Sequence, residues 1–302
     1  MPRPNLLFID TNIWLDFYRA RNETTLKLLT HAEALSGQLI VTYQLESEFK
    51  KNRQVAIIEG MQELKAPQQI PRIGIFSDAK ALAIIERSRK QTESRIKALK
   101  ARIGRVLKNP ALHDPVYKTC QRLFHKGDDL TLTRDNPVRR RIRNMAFKRF
   151  LHGCPPRKRN DTSIGDAINW EWMVDCATRR KAGLVIVSRD SDYGATIDGV
   201  SYINDHLRQE FSERISRKRT LLLYSRLSDA LKLFKIEVSA QEEQSENELL
   251  TDVEDRKNPN SAPLSALSAI LSGESSSSAR TSGIERLATL RKLLNEGMEE
   301  SS

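Results

Sequence analysis

The chain is poor in cysteine: only Cys120, Cys154 and Cys176 occur in 302 residues, at separations that suit neither a disulfide framework nor paired zinc ligands. That scarcity is expected of a protein of the reducing cytoplasm. Long apolar runs are missing too, since none approaches the roughly 18 to 20 residues that a membrane-spanning helix requires. No membrane partner is therefore expected. The opening MPRPNLLFID enters a strand-like run without the basic and apolar stretches of a secretory leader, so none is expected. The five histidines, at positions 31, 113, 125, 152 and 206, show no metal-ligand spacing.

What the chain has in excess is positive charge, unevenly spread. Lysine and arginine number 50 against 39 aspartates and glutamates, a formal net charge of +11. Residues 78–160 hold 23 basic and 7 acidic side chains, whereas residues 1–77 hold 9 and 8 and residues 161–236 hold 12 and 11. Residues 237–302 are acidic, with 6 basic and 13 acidic side chains. A basic segment between near-neutral ones suits a polyanion; the plainer reading is a solvated helical face rich in lysine and arginine.

Three short runs, 5–10 (NLLFID), 38–43 (QLIVTY) and 183–188 (GLVIVS), read as buried strands because they are apolar without strict alternation. Helix-like stretches at 23–36, 45–60, 165–181 and 205–215 lie between and after them, with a further strand at 220–224 and a closing helix at 226–234. Strands alternating with helices predict a parallel sheet covered on both faces. The basic segment interrupts this order. Leu82, Ile85, Thr92, Ile96, Leu99, Ile103 and Val106 fall on a 3-4 spacing that predicts a long helix over 78–107, packing through a narrow stripe and broken at Arg89. Asn109 and Pro110 end it, and a second helix over 114–126 is expected to fold back on it. A third basic run, PVRRRIRNMAFKRFL at 137–151, has the look of a phosphate contact surface. From 237 on, glutamate, serine, asparagine and proline predict a largely disordered tail. Within it, 284–294 has one apolar helical face, for a protein partner or for the body of the protein, unless it forms only transiently.

Acids stand where these strands end. Asp10 closes the first strand, Glu46 and Glu48 fall in the first turns after the second, Asp190 and Asp192 follow the third, and Asp166 opens a helix behind Ser163. Sites assemble at the carboxyl edge of a parallel sheet, and carboxylates crowded there repel unless a cation neutralises them. Oxygen ligands without histidine or cysteine point to Mg²⁺ or Mn²⁺.

Together FIDTNIWLDFY, the glutamate after the second strand, GDAINWEW and SRDSDY, the last similar to a T-x-D-x-D-F pattern, resemble a PIN-domain nuclease. YQLESEFKKNR and GCPPRKRNDTSIGDAINWEW are similar to the bacterial PIN-like group with a long helical insertion. The resemblance implies a three-layer α/β/α fold over residues 1–236, with a central mostly parallel sheet interrupted by a basic helical insertion at 78–160. It implies Asp10, Glu48, Asp166 and Asp190 as the catalytic and metal-binding quartet, with Asp192 an accessory metal ligand and Asp161 a weaker candidate. Glu48 is taken over Glu46 because it directly precedes Phe49 and the KNR run. Asn12 is assigned to Asp10 or a phosphate oxygen. Arg139, Arg140, Arg141, Arg143, Lys148, Arg149, Arg157, Lys158 and Arg159 are assigned to the nucleic-acid backbone, which they hold without reading sequence.

The activity so implied is metal-dependent phosphodiester hydrolysis, with RNA preferred over DNA on the resemblance alone. Two other readings stand beside it: a nucleic-acid-binding module whose acidic cluster is inactive, and a structure-specific DNA nuclease.

Overall fold

The computed structural model describes residues 5–20, 22–62, 64–65, 67–68, 80–157 and 163–257. The expected helix at 284–294 lies outside them, as do Lys158, Arg159 and Asp161. The chain divides into two units, Met1–Glu246 and Asn247–Ser302.

Strands β1 (Asn5–Ile9), β2 (Leu39–Thr42) and β4 (Gly183–Val187) are almost wholly buried. With β3 (Thr131–Leu132) and β7 (Leu221–Tyr224) they form a five-stranded sheet in the order β3-β2-β1-β4-β7, every pair parallel. Continuous apolar runs are what such strands need, because both faces are covered and each buried Leu or Ile contributes about 1.5–3 kcal/mol. Helices α1 (Thr11–Arg19) and α2 (Thr24–Ala34) pack with α6 (Pro115–Phe124), while α10 (Leu227–Leu233) packs on α2. A second group joins α7 (Arg139–Leu151), α8 (Gly165–Arg180) and α9 (Asp205–Arg214). The protein is a three-layer α/β/α fold. A hairpin that the sequence did not announce, β5 (Gly194–Ile197) and β6 (Val200–Ile203), follows the SRDSDY motif.

The basic segment behaves differently from its reading as one insertion. Val116, Cys120, Leu123 and Phe124 of α6, Leu132 of β3, and Ile142 and Ala146 of α7 belong to the same core as β1. Helix α6 packs on α1, α2 and β2 instead of folding back on the long helix, because its apolar residues recur at i, i+4, i+7 and i+8 and so face the sheet. The long helix α4 (Lys80–Lys108), by contrast, has no buried residue, and its apolar seam leaves Ile85 and Leu99 exposed. The short α5 (Pro110–His113) joins it to α6. Helix α4 is rooted on α3 (Tyr43–Gln62): Arg53 donates to the Val106 carbonyl at 3.0 Å and to Asp114 at 2.6 Å, and Tyr18 donates to the same carboxylate at 2.8 Å.

The described start of the acidic tail also departs from its composition, for α11 (Ala240–Lys257) is helical. Within the first unit, Glu246 accepts from the Leu227 and Ser228 N–H groups at 2.6 and 3.0 Å, satisfying donors at the start of α10 that its own cap residue Arg226 leaves open. Glu242 pairs with His31. Composition predicts disorder because so polar a stretch buries little apolar surface; over 240–246 the acids Glu242 and Glu246 are held by His31 and by the N–H groups of α10 instead.

Candidate active site

Strand β1 delivers Asp10 at its carboxyl end, where it caps α1 and is only 3% exposed. Its Oδ1 accepts from the Thr11 N–H at 2.7 Å, and its Oδ2 from the Ser188 hydroxyl at 2.6 Å and the Asn12 amide at 2.9 Å. Those donors favour the charged carboxylate, yet burial, then the neighbouring Asp190 and finally Glu48 outweigh them and push its pKa up to about 6.

Glu48, on α3, joins Asp10 through Thr11, whose hydroxyl donates to Oε2 at 3.0 Å; Gln44 donates to Oε1 at 3.0 Å. Gly165 passes so close that a Cβ there would lie 2.6 Å from Glu48 Oε1. That contact brings the start of α8, and hence Asp166 in its first turn, beside Glu48. Ser163 accepts from the Gly165 N–H at 3.2 Å, but the cap position of α8 belongs to Ile164, one residue later than expected. Beyond β4, Ser188 accepts from the Asp190 N–H at 3.1 Å, tying Asp190 to the hydroxyl that holds Asp10. Arg189 turns toward Asp16 and the Asn12 carbonyl. Asp192 is buried.

Asp10, Glu48, Asp166 and Asp190 therefore meet at the carboxyl edge of β1, β2 and β4. The charges of all four bear on one more group, the hydroxyl of buried Tyr193, and together with burial they raise its pKa. Among the described residues, no three His, Cys, Asp or Glu side chains are placed so that they could hold a metal ion together. The donor chemistry still fits a hard divalent cation: the acids present only oxygen, and two buried polar atoms nearby, Asn12 Oδ1 and Tyr193 Oη, have no hydrogen-bond partner.

The basic residues divide. Arg140, Arg141 and Lys148 line a surface groove of about 490 Å³ with Pro137, Asn144 and Met145, and Arg143 is exposed. Arg141 also pairs with Asp175 at 2.5 Å. Arg139 lies over the Tyr43 ring at 5.7 Å, which brings α7 to the start of the helix carrying Glu48. Arg157 covers Phe150 at 4.5 Å and is exposed. Arg149 must be withdrawn from the backbone-contact set. It is 7% exposed and committed to Glu171 at 2.9 Å, to Glu210 and to the Pro155 carbonyl, because the buried acids of α8 and α9 need a cation.

Sequence reasoning passed over Thr11, Ser188, Gly165 and Tyr193 as parts of the site. Each lies inside a motif read chiefly for its acids. No curated protein and no solved structure gives a match to the chain. The family model of the PIN domain matches residues 7–193, a span that starts in β1 and takes in every acid of the cluster. With more than half of its length so matched, on a parallel sheet that gathers four carboxylates at one edge, the chain belongs to the PIN domain family.

Proposed function

We propose that the protein is a cytoplasmic, metal-dependent endoribonuclease that hydrolyses phosphodiester bonds at Asp10, Glu48, Asp166 and Asp190, with Asp192 as accessory acid. PIN domains are generally metal-dependent nucleases that act on nucleic acids. The observation that carries the reading for this chain is the hydrogen-bonded linkage of buried Asp10 to Glu48 through Thr11 and to Asp190 through Ser188 at one edge of the sheet. Acids so arranged favour a cation of opposite charge. Bound there, Mg²⁺ or Mn²⁺ supplies polarisation of the phosphate and a more acidic water for in-line displacement.

The chain's own residues supply the rest. Thr11, Ser188 and Asn12 hold the carboxylates of Asp10 and Glu48 in fixed orientations. Arg139, Arg140, Arg143 and Lys148 offer cations to the phosphate backbone beside the cluster, with Arg141, Arg157, Lys158 and Arg159 as further contacts. Helix α4, with 10 basic and 2 acidic residues, offers a further basic surface. RNA is preferred over DNA on the strength of the sequence resemblance.

One observation favours a second reading, a binding module without catalysis: the described acids are not at ligand spacing. Incubation with labelled single-stranded RNA, single-stranded DNA and duplexes, with Mg²⁺ or Mn²⁺ and with chelator, separates the readings. RNA cleavage that needs the cation and vanishes in Asp10→Asn and Asp166→Asn is the expected result. Binding without cleavage supports the module, and preferential cutting of DNA refutes the choice of RNA.

A further inference from the structure

Of the phenylalanine and tryptophan side chains among the described residues, only Phe147 is exposed, at 51%. It stands on the outer face of α7, away from Ile142, Ala146 and Arg149, which that helix buries. Leu151, one turn further along the same face, is 65% exposed. Solvent-facing positions of a helix ordinarily carry polar side chains, and α7 has them all around this ring. Arg140, Arg143 and Asn144 precede Phe147 by seven, four and three residues, the spacings that share its face, and no acidic residue occurs on the helix.

Other rings of this region are already covered. Arg157 lies over Phe150 at 4.5 Å and Arg139 over Tyr43 at 5.7 Å. Among the described residues, neither a ring nor a guanidinium covers Phe147, although Arg143 lies one turn before it. A flat apolar ring left open within a cationic surface matches the two features of an unpaired nucleic-acid strand, a base with a free π-face and a phosphate with a negative charge. A duplex offers the phosphates alone, because its bases are stacked on one another. The ring also lies near the candidate active site without entering it: Arg139 sits over Tyr43, which begins the helix carrying Glu48, and Phe147 is about 12 Å further along the axis of α7.

We propose that Phe147 is a stacking platform for an unpaired base, held a few nucleotides from the cut, and that it makes the groove of Arg140, Asn144 and Lys148 selective for single-stranded RNA. The inference rests on the nucleic-acid reading above and adds to it the state of the strand and the residue that selects it. The arginines and the lysine hold phosphates of either form; the ring distinguishes them.

The test is binding of a fluorescent single-stranded RNA and of the same RNA annealed to its complement, on the full chain with chelator present. Phe147→Ala is expected to bind the single strand about tenfold more weakly with an unchanged salt slope, since a base contact and no phosphate contact is lost, and to bind the duplex as wild type does. Phe147→Trp is expected to keep the single-strand affinity, and Phe147→Leu, apolar but without a π-face, to lose most of it. Equal single-strand affinity in wild type and Phe147→Ala overturns the inference, as does an equal loss on both RNAs or full affinity in Phe147→Leu. Wild type that binds neither RNA overturns the nucleic-acid reading itself, and the inference with it.

Discussion

The hydroxyl of Thr11 donates to Oε2 of Glu48 at 3.0 Å, linking the end of β1 to the second turn of α3. The same residue's N–H donates to Asp10, so one threonine sets the separation of two acids from different elements. Thr11→Val keeps the shape and removes only the side-chain donor. Cleavage is expected to fall about tenfold, a loss of about 1.4 kcal/mol in transition-state stabilisation, while Thr11→Ser retains most activity. Initial rates on labelled RNA check this; equal rates in the valine variant would show that Glu48 needs no such support.

Asp10 titrates at about 6 in the folded protein against an ordinary 3.8, so the folded state holds that proton more tightly than the unfolded chain. The stabilisation from this group is complete below about pH 4 and is lost as pH rises through about 6, an effect of order 3 kcal/mol. Denaturant titrations in chelator from pH 4 to 8 should show wild type losing stability relative to Asp10→Asn over that window, then running parallel above it. A constant difference across the range would contradict the burial of an ionisable Asp10. Divalent-cation affinity is expected to weaken below pH 6, because the ion must displace the proton.

Arg149 and Arg140 sit nine residues apart on α7 and should respond in opposite ways. Arg149→Met leaves Glu171 and Glu210 without their buried partner and is expected to cost about 3–5 kcal/mol of stability. Arg140→Ala is expected to leave the melting temperature within a degree or two and to weaken RNA binding with a shallower salt dependence. Melting curves and binding isotherms at several salt concentrations distinguish the two; a stable Arg149→Met protein with weakened RNA binding would return Arg149 to the backbone-contact set.

Gly165 has no room for a methyl group, since a Cβ would meet Glu48 Oε1 at 2.6 Å and Gln44 Nε2 at 2.7 Å. Both are side-chain atoms able to yield, so Gly165→Ala should fold. Its expected signature is displaced Glu48, with kcat lowered tenfold or more and RNA affinity in chelator unchanged. Unaltered kcat would mean that Glu48 tolerates a shift at this edge.

Much of this was legible in the residues. The runs NLLFID, QLIVTY and GLVIVS are strands because nothing but a doubly covered parallel sheet accommodates such apolar sequences, and three acids follow from their positions at strand ends. Other features were hidden for physical reasons. Strand β3 has two residues, too few for any pattern. Arg149 and Arg140 look alike in a basic run, and only the helices packed against α7 make one a buried ion-pair partner and the other a surface cation. Glu246 looks like part of a polar tail because the N–H groups it satisfies belong to α10.

The sequence by itself determined the three central strands, most of the helices around them and the family likeness, and it supplied the candidate acids, since these depend on hydrophobic period and on residues near one another in the chain. Tertiary structure alone decided the electrostatics of the site. Burial raises Asp10, Ser188 holds its carboxylate, Thr11 holds that of Glu48, and Gly165 makes space for Glu48, all through contacts between elements far apart in sequence.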